Sequence, residues 1–276
     1  MSFSRRQMIS RLWMPLCCGA LALFVTGCRS VPITDRTQLM LTTSGYENNL
    51  GAESYSEYKT QYPRSTNTEY NQALERCGKA IAQASGEKDF DWEFMVLESE
   101  TQNAFCLPGG KVAVFSGIMD VMKNEAELAF VVAHEVGHAI ARHGGERMSW
   151  GYLQSLGGAL VAAGLQNDAA DTIYGLGTNL AVILPFSRSN ESEADLIGLL
   201  LMAKAGYDPH ASVEFWSRFS TNASAGLLGN LMSTHPCDAD RIAAMNRDMA
   251  QAEQEYQKAA DKKGFGVTFT HKETKK

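Results

Sequence analysis

The sequence has little proline, 7 residues in 276, and no pair of cysteines in the C-x-x-C spacing of a thiolate metal site. It also has fewer basic residues than acidic ones. Each shortage removes a class of protein: with so few prolines, collagen-like and low-complexity chains are out. Without C-x-x-C pairs, a cysteine-built metal site is excluded. With 25 Lys and Arg against 31 Asp and Glu the net charge is −6, which disfavours a nucleic-acid partner because phosphate binding needs a basic face. Neither half of the apolar stretch from Tyr152 to Pro185 reaches the about 20 residues of a membrane span, because Gln166, Asn167, Asp168 and Asp171 interrupt it. Alternating strand and helix units are missing too, which argues against a solute-binding α/β fold. What is present, 45% hydrophobic and 20% charged residues with 24 Gly, is globular composition with enough length for one large domain or two small ones.

Residues 1–27 read as an export signal. Arg5, Arg6 and Arg11 precede an apolar stretch from Leu12 to Val25, and small residues lead into Cys28. The ending Val25-Thr26-Gly27-Cys28 resembles the bacterial lipobox, in which the cysteine takes a lipid and becomes the new N-terminus. That expectation places the chain in the bacterial cell envelope on the periplasmic side, anchored by lipidated Cys28, in the outer membrane in preference to the inner. Removing the three leader arginines leaves 22 basic against 31 acidic residues, a net charge of −9. Residues 28–43 have little periodicity and are expected to form a tether. Residues 44–257 form the domain, and residues 258–276, with six Lys, a basic flexible tail.

Within the domain, Tyr70, Leu74, Cys77 and Ile81 recur at the spacing of an amphipathic helix ending near Gly86. Phe90 to Leu97, Asn103 to Leu107 and Lys111 to Phe115 read as strands, with Pro108-Gly109-Gly110 as the turn before the last. Together they predict an α+β fold, a small antiparallel sheet beside helices. Glu125 to His143 is a continuous helical pattern with Gly144-Gly145 as its stop, and a second helix runs from about Ser189 to Ala205.

The first of these helices carries His134-Glu135-Val136-Gly137-His138. Residues four apart share a helix face, so both imidazoles can bind one Zn²⁺ while Glu135, one position round, reaches the water that the metal activates. Neutral imidazole suits zinc, and Glu135 can take a proton from that water and pass one to the leaving amine. A third ligand must come from elsewhere. The places where a metzincin carries Gly and His hold Ala141 and Gly144, with His143 one residue early, so that arrangement is disfavoured. Glu191 and Asp195 stand four apart on the second helix. One carboxylate can close the site, and the other can orient a ligand histidine through its second nitrogen.

These motifs, with Ser187-Arg188-x-x-Glu191-x-Glu193-Ala194-Asp195, Ser233-Thr234-His235-Pro236 followed by Arg241, and Asn103-Ala104-Phe105-x-x-Pro108-Gly109-Gly110, lie in matching order over about 140 residues. The chain resembles metallopeptidase family forty-eight, the gluzincins that include HtpX, the CAAX prenyl proteases and a bacterial lipoprotein or periplasmic branch with BepA and LoiP. The resemblance implies a mainly helical gluzincin-type zinc protease domain with a small sheet whose edge strand borders the active-site helix. It implies one Zn²⁺ per chain held by His134, His138 and Glu191, with Glu135 as general base and Asp195 as the carboxylate behind a ligand. Glu193 is the other candidate third ligand. The strand of Asn103, Ala104 and Phe105 would pair with an extended substrate backbone. His235 would bond the oxyanion, occupy the open zinc position in a latent state, or cap the turn before Pro236. Relatives often carry Pro where Cys237 stands and an apolar residue where Cys106 stands, so a bridge between these two cysteines is conceivable.

The expected function is a lipid-anchored zinc endopeptidase acting on unfolded or misassembled envelope proteins, with residues 152–185 as a possible lid. The alternative is a chaperone-like lipoprotein that holds clients in the same groove.

Overall fold

The computed structural model describes residues 27–165, 187–222 and 229–269. The leader, the C-terminal end and most of the possible lid lie outside the described residues. The described residues hold five strands: β1 (Cys28–Ser30), β2 (Thr37–Leu39), β3 (Glu93–Leu97), β4 (Ala104–Leu107) and β5 (Lys111–Phe115). The long helices are α1 (Ser44–Gln61), α2 (Thr68–Ser85), α4 (Glu125–Ile140), α5 (His143–Leu165), α6 (Arg188–Lys204), α7 (His210–Asn222) and α9 (Ala239–Lys258). Two short ones, α3 (Ser116–Met119) and α8 (Gly229–Thr234), complete the described elements. The domain is mainly helical α+β, as the sequence predicts.

The helix termini follow side-chain chemistry. Asn67 caps α2 by accepting from the Tyr70 N–H, and Gly86 ends it in the left-handed region at φ 70°. Asn124 caps α4, Asp238 caps α9, and Ser187 caps α6, which starts one residue before the expected Ser189.

The three-stranded sheet has the order β3-β5-β4. β4 and β5 form the antiparallel hairpin, turning through Gly109 and Gly110, both at φ 83°. β3, however, pairs with β5 in parallel, so the sheet is mixed rather than antiparallel. Apolar alternation marks a strand without fixing its direction. Here the short link after β3 crosses the end of β5, where Ser116 Oγ donates to the Ser99 carbonyl at 2.9 Å. β5 is buried at all five positions, as expected of a central strand, and β4 is the edge, lying against α4.

Every residue of α4 is buried. It runs through the core with α2, α6, α7 and β4 packed around it. Its first-turn acids are paired: Glu127 takes two bonds from Arg218 at 2.7 and 2.6 Å, and Glu125 takes bonds from Arg76 and from the Tyr207 hydroxyl. The helix does not continue to Gly144-Gly145. It stops at Ile140, Arg142 adopts φ 55°, and α5 begins at His143 and runs through both glycines. Arg142 is held in that conformation by bonds to Glu47 at 2.7 and 3.0 Å and to the Thr42 carbonyl at 3.1 Å.

Two stretches expected to be loose are drawn onto the domain. In residues 28–43, β1 and β2 form a hairpin, and Arg36 in its turn pairs with Glu146 and Glu193 at 2.8 Å each. In the basic tail, Thr268 bridges to Asn124 and buried Phe269 stacks edge-on against Tyr70. Single side chains at such isolated positions, charged or apolar, carry no periodic signal, which is why the sequence shows neither contact.

The crossing of α4 and α6 sets the site. A β-carbon at Gly198 would lie 2.8 Å from the His134 backbone nitrogen and 2.9 Å from its Cα, and one at Gly137 would lie 3.0 Å from the Ala194 carbonyl oxygen. Gly198→Ala is expected to force the helices apart and cost about 1–3 kcal/mol. Urea unfolding checks the stability loss, and zinc titration should show a weaker site.

Candidate metal centre

The close crossing brings side chains from three segments to one point. His134 and His138 project from α4, Glu191 from the first turn of α6, and His235 from the segment after α8. One donor atom from each lies within 4.8 Å of all the others, and all four residues are buried. His134 Nε2 is 3.1 Å from His138 Nε2, 3.6 Å from Glu191 Oε2 and 3.3 Å from His235 Nδ1. Glu191 Oε1 is 3.4 Å from His138 Nε2, and Glu191 Oε2 is 3.2 Å from His235 Nδ1.

These spacings fit zinc. Ligand distances of about 2.0–2.2 Å place the corners of a tetrahedron roughly 3.3–3.6 Å apart. Oε1 of Glu191 is buried and accepts no hydrogen bond, an expensive state that a bound cation relieves. Nitrogen and carboxylate donors without sulfur suit zinc in a catalytic setting.

Behind the donors lies a second layer. His134 Nδ1 is 3.0 Å from Asp195 Oδ1, within reach of a shared proton although off the line of an ideal hydrogen bond. Arg241 forks onto Asp195 at 2.7 and 2.8 Å and lies 3.0 Å from Glu191, while Trp216 Nε1 donates to Asp195 at 3.3 Å. Burial would raise the Asp195 carboxyl, but Arg241 and His134 hold it below its ordinary value. Burial would likewise raise Glu191, yet the bonds with His134 and His235 carry it far down. Burial and the neighbouring His134 push His138 well below its ordinary value, which keeps it the neutral ligand a metal needs.

Glu135 turns to the other side of the group. Its Oε1 lies 3.5 Å from His235 Nε2. Burial raises its carboxyl while His235 and His134 pull the other way, and the net shift is upward, in the direction that suits a proton carrier near neutral pH. A cleft of about 450 Å³ opens here, with Glu135 and His235 on one wall and Ala104, Phe105 and Cys106 of β4 on the other. The edge strand named from the sequence thus borders the site, and Asn103 lines the same cleft. Cys77, Cys106 and Cys237 are thiols outside any disulfide.

Glu193, the other candidate third ligand, is not in the group of four. It accepts from Arg36 Nε at 2.8 Å, from the Thr34 hydroxyl, and from His143 Nε2 at 2.9 Å. Burial would raise its carboxyl, but these bonds hold it at about 2 against an ordinary 4.5. A depressed carboxyl stabilises the fold fully above pH of about 4.5, and that stabilisation fades as pH falls towards 2. Urea unfolding from pH 7 to pH 3 should therefore show a shallower acid loss in Glu193→Gln than in the wild type.

A model of peptidase family M48 matches residues 68–248, which include the donors from both helices and from the loop before α9. The chain belongs to peptidase family M48. It is similar to the mitochondrial metalloendopeptidase OMA1 of Schizosaccharomyces pombe, 35% identical over 244 residues, which is 86% of this chain and 71% of that protein. It is 40% identical over 163 residues to OMA1 of Arabidopsis thaliana, covering 59% of this chain and 33% of that protein. It is 26% identical over 216 residues to the beta-barrel assembly-enhancing protease of Escherichia coli, covering 74% of this chain and 44% of that one. The M48 domain is therefore a metalloendopeptidase with an His-Glu-x-x-His site on α4. These likenesses reach mitochondrial and bacterial proteins alike and do not single out a lipoprotein branch. Among the described residues, no helix is long and apolar enough to cross a membrane.

Proposed function

We propose that this chain is a zinc-dependent endopeptidase held at a membrane by lipidated Cys28, in the bacterial envelope, where it hydrolyses unfolded or misassembled exported proteins. The observation that carries the reading is the convergence of His134, His138 and Glu191 beside Glu135 and the edge strand β4. Those three side chains would hold one Zn²⁺, which supplies a Lewis acid and lowers the pKa of a water to about 7.

The remaining roles belong to the chain. β4 pairs only with β5 among the described strands, so its free edge can hold an extended peptide by backbone hydrogen bonds. Such a mode reads backbone rather than side chains and suits unfolded segments. Glu135 takes the proton of the attacking water at its carboxylate and returns one to the leaving amine. Asp195, backed by Arg241, keeps His134 oriented with Nε2 forward. His235, whose Nδ1 lies 3.3 Å from His134 Nε2 and 3.2 Å from Glu191 Oε2, would keep water from the centre in a latent form and, on withdrawing, would donate from its ring to the oxyanion.

Likeness to the beta-barrel assembly-enhancing protease supports the envelope assignment, and the lipobox ending supports the anchor. Unfolded casein is the first substrate to try. Hydrolysis that disappears with chelator and returns with zinc supports the reading. Binding of casein without zinc-dependent cleavage would favour the client-holding alternative.

A further inference from the structure

We infer that His143 and Glu193 form a positioning relay for the metal ligand His138, giving the centre a second outer arm beside that of Asp195 and Arg241. The inference rests on the zinc reading above and adds two residues to it. His138 presents Nε2 to the other donors, while its Nδ1 lies 2.8 Å from His143 Nδ1. His143 Nε2 in turn lies 2.9 Å from Glu193 Oε2. His143 is fully buried and Glu193 nearly so.

Only one assignment of protons satisfies this line with a metal on His138. A ligand nitrogen must carry a lone pair, so Nε2 of His138 is bare and its Nδ1 carries the hydrogen. That hydrogen is donated to a bare His143 Nδ1, which leaves the His143 proton on Nε2, where Glu193 accepts it. The carboxylate therefore fixes the tautomer of His143, and His143 fixes that of His138. Glu193 is itself fixed by Arg36 and by the Thr34 hydroxyl, both in the turn between β1 and β2, and Arg36 is anchored in turn by two bonds to Glu146 at 2.9 and 2.8 Å.

The geometry exists because the chain breaks at Arg142. The left-handed residue between α4 and α5 swings His143 under the last turn of α4, against the ring of His138, with the centroids 4.9 Å apart. In an uninterrupted helix, a residue five positions on would not face His138. The two ligand histidines are thus held by different means: His134 by a carboxylate directly, and His138 by a carboxylate acting through an imidazole.

The test is zinc affinity by competition with a chromogenic chelator, on the full chain without its leader. His143→Leu removes both hydrogen-bonding atoms, and its affinity should fall about 10- to 100-fold. His143→Gln offers an acceptor and a donor at close to the spacing of the ring nitrogens, and should recover to within about threefold of wild type. With Co²⁺ in place of zinc, the visible spectrum should shift in His143→Leu and return in His143→Gln. A purely structural role for His143 would lower melting temperature without this difference in affinity and spectrum. Should His143→Leu fail to fold, Glu193→Gln decides, with a loss of about threefold to tenfold expected. Wild-type affinity in His143→Leu, or in Glu193→Gln where the former does not fold, overturns the relay. Wild-type protein that binds no zinc overturns instead the proposed function on which it rests.

Discussion

Glu135→Gln is expected to lower the turnover of unfolded casein by about 10²- to 10⁴-fold while the chain still binds one zinc. The carboxamide has nearly the same shape, so the cleft and the neighbouring ligands keep their places. It cannot hold the proton that must leave the attacking water. The upward shift of Glu135 by burial is part of the same argument: a carboxylate in a dry wall beside His235 is a stronger base than one in water. Initial rates at saturating casein, with zinc content measured on the same samples, separate the two effects. A variant with full zinc and more than a tenth of wild-type turnover would remove Glu135 from the proton path. A variant without zinc would show that the residue serves the fold of the centre instead.

Arg241→Met should produce the largest loss of stability. The guanidinium is buried, forks onto Asp195 and touches Glu191 at 3.0 Å, and also donates to the Pro236 carbonyl at 2.7 Å. Methionine keeps much of the stem and removes the charge. Two buried carboxylates are then left without their cation, a situation that costs about 3–5 kcal/mol. The Pro236 bond ties the His235 segment to the same guanidinium, so the variant should also loosen the fourth corner of the centre. Urea unfolding of the zinc-free protein measures the first effect free of any contribution from bound metal. A loss below about 1 kcal/mol would mean that Asp195 and Glu191 find other partners.

Much of the centre is legible in the sequence because its parts are local. His134, Glu135 and His138 share one helix turn, and Glu191 and Asp195 share another, so spacing alone predicts which side chains stand together. What the sequence does not show is the meeting of distant turns. Gly198 and Gly137 let α6 approach α4, and nothing in their surroundings marks them as a crossing point. Glu193 lies two residues from both Glu191 and Asp195, off their shared face, and its partners come from the β1 and β2 turn some 157 residues away. The end of the first site helix is misplaced for a related reason. Gly144-Gly145 looks like a helix stop, whereas the break falls at Arg142, where pairing with Glu47 offsets the strain of a positive φ. A salt bridge across 95 residues thus supports the break that brings His143 against His138. The mixed sheet is the same lesson on a smaller scale, since β3 takes its direction from the route of the chain over β5.

X-ray absorption at the zinc edge on the purified chain from Cys28 onward tests the central claim most directly. The account predicts one zinc per chain, surrounded by nitrogen and oxygen at about 2.0–2.2 Å with the multiple-scattering signature of histidine, and loss of one histidine in His138→Ala. Absence of zinc after zinc-replete preparation, or a first shell containing sulfur near 2.3 Å, would contradict it.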